Sequence, residues 1–448
     1  MVAVVRAVGP QRSGGVLTTL RGVTHPIDLL RDRGLIQDIT DEPGLRDLLE
    51  SESVTFYVGF DPTGSSLHIG NLVGMMAMAW LQQAGHRPIA VAGGGTGRIG
   101  DPSGRDDERE LLNEETIATN LERHKAQLGR VVDLSDDGSG VVVDNFDWLG
   151  KVSFVEMLRD VGKHFSVNQM ISRESVKRRL EEREQGISFT EFSYQILQAF
   201  DFAHLYREFD CRLQLGGSDQ WGNITAGVDL TRRLHDETVY GAVWPLLERS
   251  DGKKFSKSAG EAVWLAPDET SPYAYYQWFF NLPDGDVERF LKIYTFLPLN
   301  EIALLAAETK REPSGRAAQR ALAREATRIM HGDDGLAAAE RPSAILFGDE
   351  PFTQLDDQTL MDAFESAPAV ALPRADLEAG MGLLEIMVEV GAAKSHGEAR
   401  RLVNQGGVML NNARIEDPAQ RVDVDDLASK TTLVLRIGKK RYFLVRFV

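Results

Sequence analysis

"SVTFYVGFDPTGSSLHIGN", residues 53–71, is the stretch on which the fold turns. Residues 53–60 are mostly β-branched and aromatic, the composition of a strand buried on both faces. Asp61-Pro62-Thr63-Gly64-Ser65-Ser66 are turn formers throughout. A helix is predicted over 67–84, with Ser66 as its N-cap and Gly85 as its stop before Pro88. A second strand, 88–92, follows. Strand, turn, helix, strand is the repeating unit of a doubly wound parallel sheet. Small residues at such a turn leave backbone N–H groups free to meet phosphate, His68 can donate to an oxygen, and Gly70 leaves room for a flat ring.

The second strand runs into "AGGGTGRIGDPSGR", residues 92–105, which contains G-x-G-x-x-G at 95–100 and acids downstream at Glu114 and Glu115. That is the pattern of a dinucleotide site, and it raises an oxidoreductase as a rival reading. A dinucleotide site needs its glycines to open a helix directly. Here Asp101-Pro102-Ser103-Gly104 follows, which is turn chemistry. The glycines are therefore expected to let the chain pass close to a substrate, with Asp101 as the functional residue.

Further along, residues 107–185 read as charged and helical, with a weaker segment at 131–145. Helical spacing returns at 189–206, where Tyr194, Gln198 and Asp201 fall at i, i+4 and i+7 on one face. Three polar groups on a face expected to be apolar need partners, and a ligand with one hydroxyl and one ammonium supplies them. A third strand, 211–215, leads to Gly216-Gly217-Ser218-Asp219-Gln220. The polar loop 250–260 carries Lys253, Lys254 and Lys257 beside Ser256 and Ser258, point charges suited to a polyphosphate. Residues 272–345 read as mostly helical, and 348–380, rich in Asp, Pro and Ala, as a linker.

Composition bounds the rest. A chain of 448 residues suggests two to four domains at ~100–200 residues each. No apolar run approaches the ~18–20 residues of a membrane helix. Residues 1–25 have basic residues but no long apolar core, and are expected to be a poorly ordered extension, not a signal peptide. The single cysteine, Cys211, makes neither an internal disulfide nor a metal cluster, fits a reducing cytoplasm, and sits in a Leu-rich strand pattern as a buried thiol. A net charge of −17 argues against wholesale coating of nucleic acid. Residues 381–448, however, carry 11 Lys and Arg against 8 Asp and Glu, so a basic module ends an acidic body and suggests local contact with a polyanion.

Two segments decide the class. D-P-T-G-x-S-x-H-I-G-N at 61–71 and K-F-S-K-S at 254–258 resemble the two signature motifs of the class I aminoacyl-tRNA synthetases, with Asn71 where the first motif ends in histidine. Asparagine keeps a hydrogen-bond donor but carries no charge. The segments 56–61, 100–104, 194–202 and 214–224 narrow the resemblance to the bacterial tyrosyl-tRNA synthetases, with matches in order from about 57 to 258. The resemblance implies that Tyr57 and Asp201 meet a substrate phenol, and that Tyr194, Gln198 and Asp101 hold its ammonium. It places Asp61, Gly59, Gly217, Asp219 and Gln220 around the ribose and carboxylate, and Gly70 and Asn71 at the ATP site. Thr63, His68, Lys254 and Lys257 would act on the ATP phosphates. ATP with Mg2+, L-tyrosine and tRNA(Tyr) are the implied substrates, and a homodimer is the implied assembly. The Tyr57/Asp201 pair favours tyrosine over tryptophan, the nearest substrate rival. A non-catalytic RNA-binding protein is the other alternative, and the intact His68, Lys254 and Lys257 speak against it.

The last segment, 381–448, has its own signals. Ser395-His396-Gly397-Glu398 is a capping box opening a helix over 398–405 that carries Arg400 and Arg401. Gly406-Gly407 stops it, and strands at 408–410 and 413–415 flank a hairpin turn at Asn411-Asn412. Lys439 and Lys440 add a basic cluster. The segment resembles the S4 RNA-binding domain, down to the run EARRL at 398–402, and Arg400, Arg401, Lys439 and Lys440 are the implied RNA contacts. The expected α/β architecture is a Rossmann-like catalytic domain over 26–247 with a helical insertion at about 107–185. A helical domain over 248–347, a linker and an S4-like α+β domain follow.

Overall fold

A computed structural model describes residues 24–101, 113–135, 138–172, 176, 177, 180, 186–247, 262–347, 355–364, 367–438 and 441–448. The N-terminal extension, the lysine loop with Lys254 and Lys257, and Lys439 and Lys440 lie outside the described residues.

The chain divides into two compact units, one comprising 1–269 and 281–330, the other 270–280 and 331–448. In the first, helices Pro26–Asp32 (α1) and Glu42–Ser51 (α2) flank a short strand, Asp38–Ile39 (β1). Thr55–Phe60 (β2), Ile69–Gln83 (α3) and Arg87–Ala92 (β3) form the expected strand–helix–strand unit. Glu114–Leu128 (α4), Val141–Asp144 (β4), Phe146–Leu149 (α5), Phe189–Phe209 (α6), Cys211–Gly217 (β5), Trp221–His235 (α7) and Tyr240–Trp244 (β6) complete it. The sheet order is β1-β6-β5-β2-β3-β4, parallel except for β1 against β6. Parallel strands need both faces covered. One face buries Tyr57, Ile89, Val91 and Val143 against Trp148, Phe202 and Leu205. On α3, residues 72–81 are buried without a break, because β2, β3 and β5 lie on one side and α1 on another.

Strand order reverses direction at β2: the chain moves outward to β3 and β4, then returns to place β5 on β2's other edge. A crevice forms where the loops diverge, at the carboxyl ends of β2 and β5. Cys211 is fully buried at the start of β5, and burial pushes its thiol well up from the usual range.

Several sequence expectations are corrected. The N-cap of α3 is His68, not Ser66. Strand β4 lies inside the segment read as weak, and β6 was not anticipated, since four- and five-residue apolar runs carry little periodicity. The helices Asp284–Tyr294 (α8) and Leu299–Arg311 (α9) belong to the first unit, whereas 270–280 and 331 onward belong to the second, so 248–347 is not a separate helical domain.

In the second unit, Ala369–Leu372 (β7) pairs parallel to Arg441–Phe447 in a five-stranded sheet. Part of the expected linker is thus an edge strand. Pro368 and Pro373 bracket it, and proline at the limits of an edge strand is read as linker by composition alone. Leu383–Glu389 (α10) and His396–Asn404 (α11) pack on each other and bury Leu383, Ile386, Ala399 and Val403. Ser395 caps α11 as expected, accepting the Glu398 N–H. Asn411 and Asn412 both take positive φ, 45° and 66°, in the turn between Val408–Leu410 and Ala413–Arg414, the geometry of a type I′ hairpin.

Candidate active site

A cavity of about 740 Å3 lies in the first unit at the carboxyl ends of β2 and β5. Every described residue expected at the tyrosine and ATP sites lines it: Tyr57, Gly59, Asp61, Thr63, His68, Gly70, Asn71, Asp101, Tyr194, Gln198, Asp201, Gly217, Asp219 and Gln220.

At the deep end, Asp201 is buried and its two oxygens are held apart. Asn145 Nδ2 donates to Oδ2 at 2.9 Å and Trp148 Nε1 to Oδ1 at 2.7 Å. Burial pushes the carboxyl up to about 8, against the pull of those two donors. Tyr57 packs edge-on to Phe202 with ring centroids 5.3 Å apart. Its hydroxyl and Gln214 Oε1 are buried, without a hydrogen-bond partner among the described residues. Burial, then the nearby Asp201, raises the Tyr57 phenol well above its ordinary value, so it stays neutral and can donate. Unpaired polar atoms in an apolar wall are costly, and a ligand hydroxyl entering here answers them.

Above this, Tyr194 Oη donates to Asp61 Oδ2 at 2.9 Å and Thr96 Oγ1 to Oδ1 at 2.7 Å. The Tyr194 proton is therefore committed, leaving its lone pairs to accept from an ammonium. Asp61, expected at the ribose, accepts both of these bonds. Gln220 Nε2 donates to Asp101 Oδ2 at 2.7 Å, and Asn223 Nδ2 to Gln198 Oε1 at 3.0 Å and Gln220 Oε1 at 3.3 Å. Asp219 is held above the usual carboxylate range by burial and by Asp101.

The helix-opening turn is built by its own residues. His68 Nδ1 accepts the Gly70 N–H at 3.0 Å, which places the neutral ring's proton on Nε2. Asn71 Oδ1 accepts the His68 N–H at 3.1 Å, closing a capping box. A Cβ at Gly70 would meet the His68 ring at 2.7 Å, so only glycine lets the ring fold over the helix start. Gly59, at the end of β2, has open space above it.

The G-x-G-x-x-G does not open a helix; residues 96–98 make one 3-10 turn. Its glycine amides are used internally: Gly95 N–H donates to Asn145 Oδ1 at 2.7 Å, Gly97 N–H to the Gly93 carbonyl at 2.7 Å and Gly100 N–H to the Thr96 carbonyl at 2.9 Å. A side chain at Gly93 would collide with Asp61, and one at Gly97 with Pro62 at 2.9 Å. The glycines bring the chain close to the Asp61-Pro62 turn, and their backbone donors are not free for a pyrophosphate.

Asn145, Trp148, Thr96, Gln214 and Asn223 escaped the sequence reading. Asn145 and Trp148 follow the short β4, and no local pattern marks them as partners of a residue on α6.

A doubly wound sheet with a switch-point cavity, a histidine-capped helix start on one wall and a polar helix face on the other defines a class I aminoacyl-tRNA synthetase. The family model described as "tRNA synthetases class I (W and Y)" matches residues 49–348, and that described as "Tyrosine--tRNA ligase SYY-like C-terminal domain" matches 360–445. The chain is 47% identical to the tyrosine–tRNA ligase of Roseiflexus castenholzii over 95% of this chain and 100% of that one. It is 48% identical to that of Mesorhizobium japonicum over 94% and 98%. A C-terminally truncated mitochondrial tyrosyl-tRNA synthetase of Aspergillus nidulans superposes with a TM-score of 0.65 at 33% identity, covering 72% of this chain and 95% of that one. The chain belongs to the tyrosine–tRNA ligase family.

Proposed function

We propose that the cavity binds L-tyrosine with its phenol between Tyr57 and Asp201 and its ammonium among Tyr194, Gln198 and Asp101, and binds ATP, as its Mg2+ complex, across the 61–71 turn. The observation that carries this is the part of the cavity lined by the buried Asp201 carboxyl group and by the Tyr57 hydroxyl, which has no hydrogen-bond partner among the described residues.

A tyrosine carboxylate oxygen attacks the α-phosphorus. The bond to the bridging oxygen breaks, pyrophosphate leaves, and tyrosyl-adenylate forms. The terminal ribose hydroxyl of tRNA(Tyr) then attacks the carbonyl, its proton passes to the departing phosphate group, the bond from the carbonyl carbon to the phosphate oxygen breaks, and AMP leaves. The carboxylate is already a nucleophile, so the enzyme's contribution is position and stabilised phosphate charge. His68 Nε2–H and Thr63 supply donors from the turn. Lys254 and Lys257 lie outside the described residues, and their assignment to the phosphates rests on the motif.

The second unit supplies the RNA contact. Arg400 and Arg401 are exposed on α11, where guanidinium groups reach phosphate and unpaired bases. The assembly is a homodimer. Phe154, Val155, Leu158, Val167 and Ile171 are exposed at 66%, 69%, 48%, 57% and 41% within one stretch of the insertion, an apolar surface that a second copy would cover. No described helix is long and apolar enough to cross a membrane, and the enzyme acts in the cytoplasm.

Tyrosine-dependent ATP–pyrophosphate exchange tests the activation step. Exchange is expected with tyrosine and at background with phenylalanine or tryptophan. Exchange with another amino acid and none with tyrosine sinks the assignment.

A further inference from the structure

We propose that Asn120, His124 and Gln127 are positioning residues. One buried face of α4 splints the 62–67 turn and so sets the places of Thr63 and His68 at the ATP phosphates, a reading that rests on the activity proposed above.

The three residues fall at i, i+4 and i+7, on one side of a helix, and are 5%, 3% and 7% exposed. Each is bonded to the turn some sixty positions away in sequence. Asn120 Nδ2 donates to the Pro62 carbonyl at 3.0 Å, and His124 Nε2 pairs with the Gly64 carbonyl at 3.0 Å. Gln127 Oε1 accepts the Leu67 N–H at 2.9 Å, and its Nε2 donates to Ser66 Oγ at 2.8 Å. The turn's own backbone groups are therefore satisfied by side chains of α4. A carbonyl accepts only, so His124 carries its proton on Nε2. Burial pushes its pKa down to about 4, and the ring stays a neutral donor at working pH.

The same turn is held from its other side. Ser66 Oγ accepts the Ala266 N–H at 3.1 Å, the Leu67 carbonyl accepts the Leu265 N–H at 2.8 Å, and the Val263 carbonyl accepts the Ile69 N–H at 3.1 Å. Residues 263–266 follow the lysine-rich segment in sequence. Ser66 thus joins α4, the phosphate turn and the chain returning from the second signature motif at one buried hydroxyl. Apolar residues on this face of α4 would leave the Pro62 and Gly64 carbonyls and the Leu67 N–H without these partners, and a buried polar face is favourable only when fully bonded. What the polar face adds is register: four hydrogen bonds fix where the turn lies along α4. A misplacement of ~1 Å at a reacting centre costs on the order of 10²-fold in rate.

The test is steady-state tyrosine-dependent pyrophosphate exchange beside equilibrium tyrosine binding, on the full chain. His124→Leu and Gln127→Met are expected to lower kcat about 10- to 100-fold while the tyrosine Kd stays within about twofold. His124→Gln, whose amide N–H can reach the Gly64 carbonyl, is expected to return to within about threefold of the parent. The proposal is overturned by a loss smaller than about fivefold in both apolar variants, by tyrosine affinity falling in step with turnover, or by His124→Gln doing no better than His124→Leu. A parent chain with no tyrosine-dependent exchange overturns the assigned activity itself.

Discussion

Asp201 shows how one residue is tuned by neighbours far from it in sequence. Its burial raises the carboxyl to about 8, while Asn145 and Trp148 donate to it and pull the other way. Because the folded pKa lies above the unfolded one, the native state holds a proton that the unfolded chain has released between about pH 4 and pH 8. Stability contributed by this site is therefore lost as pH rises through that window. Asp201→Asn does not titrate, so its stability relative to the parent is expected to improve from pH 5 to pH 8, by up to about 1.4 kcal/mol per pH unit. Urea unfolding at the two pH values measures it, and a gap unchanged by pH refutes the assignment. The residues lining the cavity were legible because each sits in a local motif. Their supporters were not: Asn145 and Trp148 are more than fifty positions from Asp201, and Asn223 lies twenty-five beyond Gln198.

At the scale of the element, Asn71 serves the start of α3. The motif's usual histidine raised the question of a missing charge at this position. In the structure the asparagine oxygen caps the helix by accepting the His68 N–H. Asn71→Ala is expected to destabilise the protein by about 1 kcal/mol, whereas Asn71→Asp, which keeps the acceptor and suits the helix N-terminus, is expected to lose far less. Equal unfolding midpoints for Ala and the parent would refute the capping role. Long, strongly patterned elements such as α3, α6 and β2 were readable because burial repeats along them. Strands β4 and β6 were missed because a buried parallel strand of four or five residues looks like any short apolar run. Helix α4 was readable as a helix, but its partner was not. Its polar face has the composition of a solvated one until the 62–67 turn is laid against it.

Over the whole molecule, the proposed division is between an acidic unit that holds the cavity and a basic end of the chain that would hold tRNA. Arg400→Glu with Arg401→Glu is expected to leave pyrophosphate exchange within about twofold of the parent and to lower tRNA charging at least about tenfold, more steeply as salt falls. Unimpaired charging removes α11 from the RNA contact. Residues 369–372 show the limit of reading domains from composition: proline and alanine suggest a linker, and only the ladder to the last strand makes them sheet. The sequence by itself determined the strand–turn–helix unit, the two signature segments, the residues that line the cavity and the family they belong to, because turn chemistry, periodicity and motif spacing are local. It also determined that the G-x-G-x-x-G was not a dinucleotide site, from the Asp-Pro after it. Tertiary structure alone decided that β5 lies beside β2, that Asp61 is bonded to Tyr194 and that α4 is bonded to the 62–67 turn. The reason is physical: a buried polar group is costly without a partner, and which one it finds depends on strand order and helix placement, not on proximity along the chain.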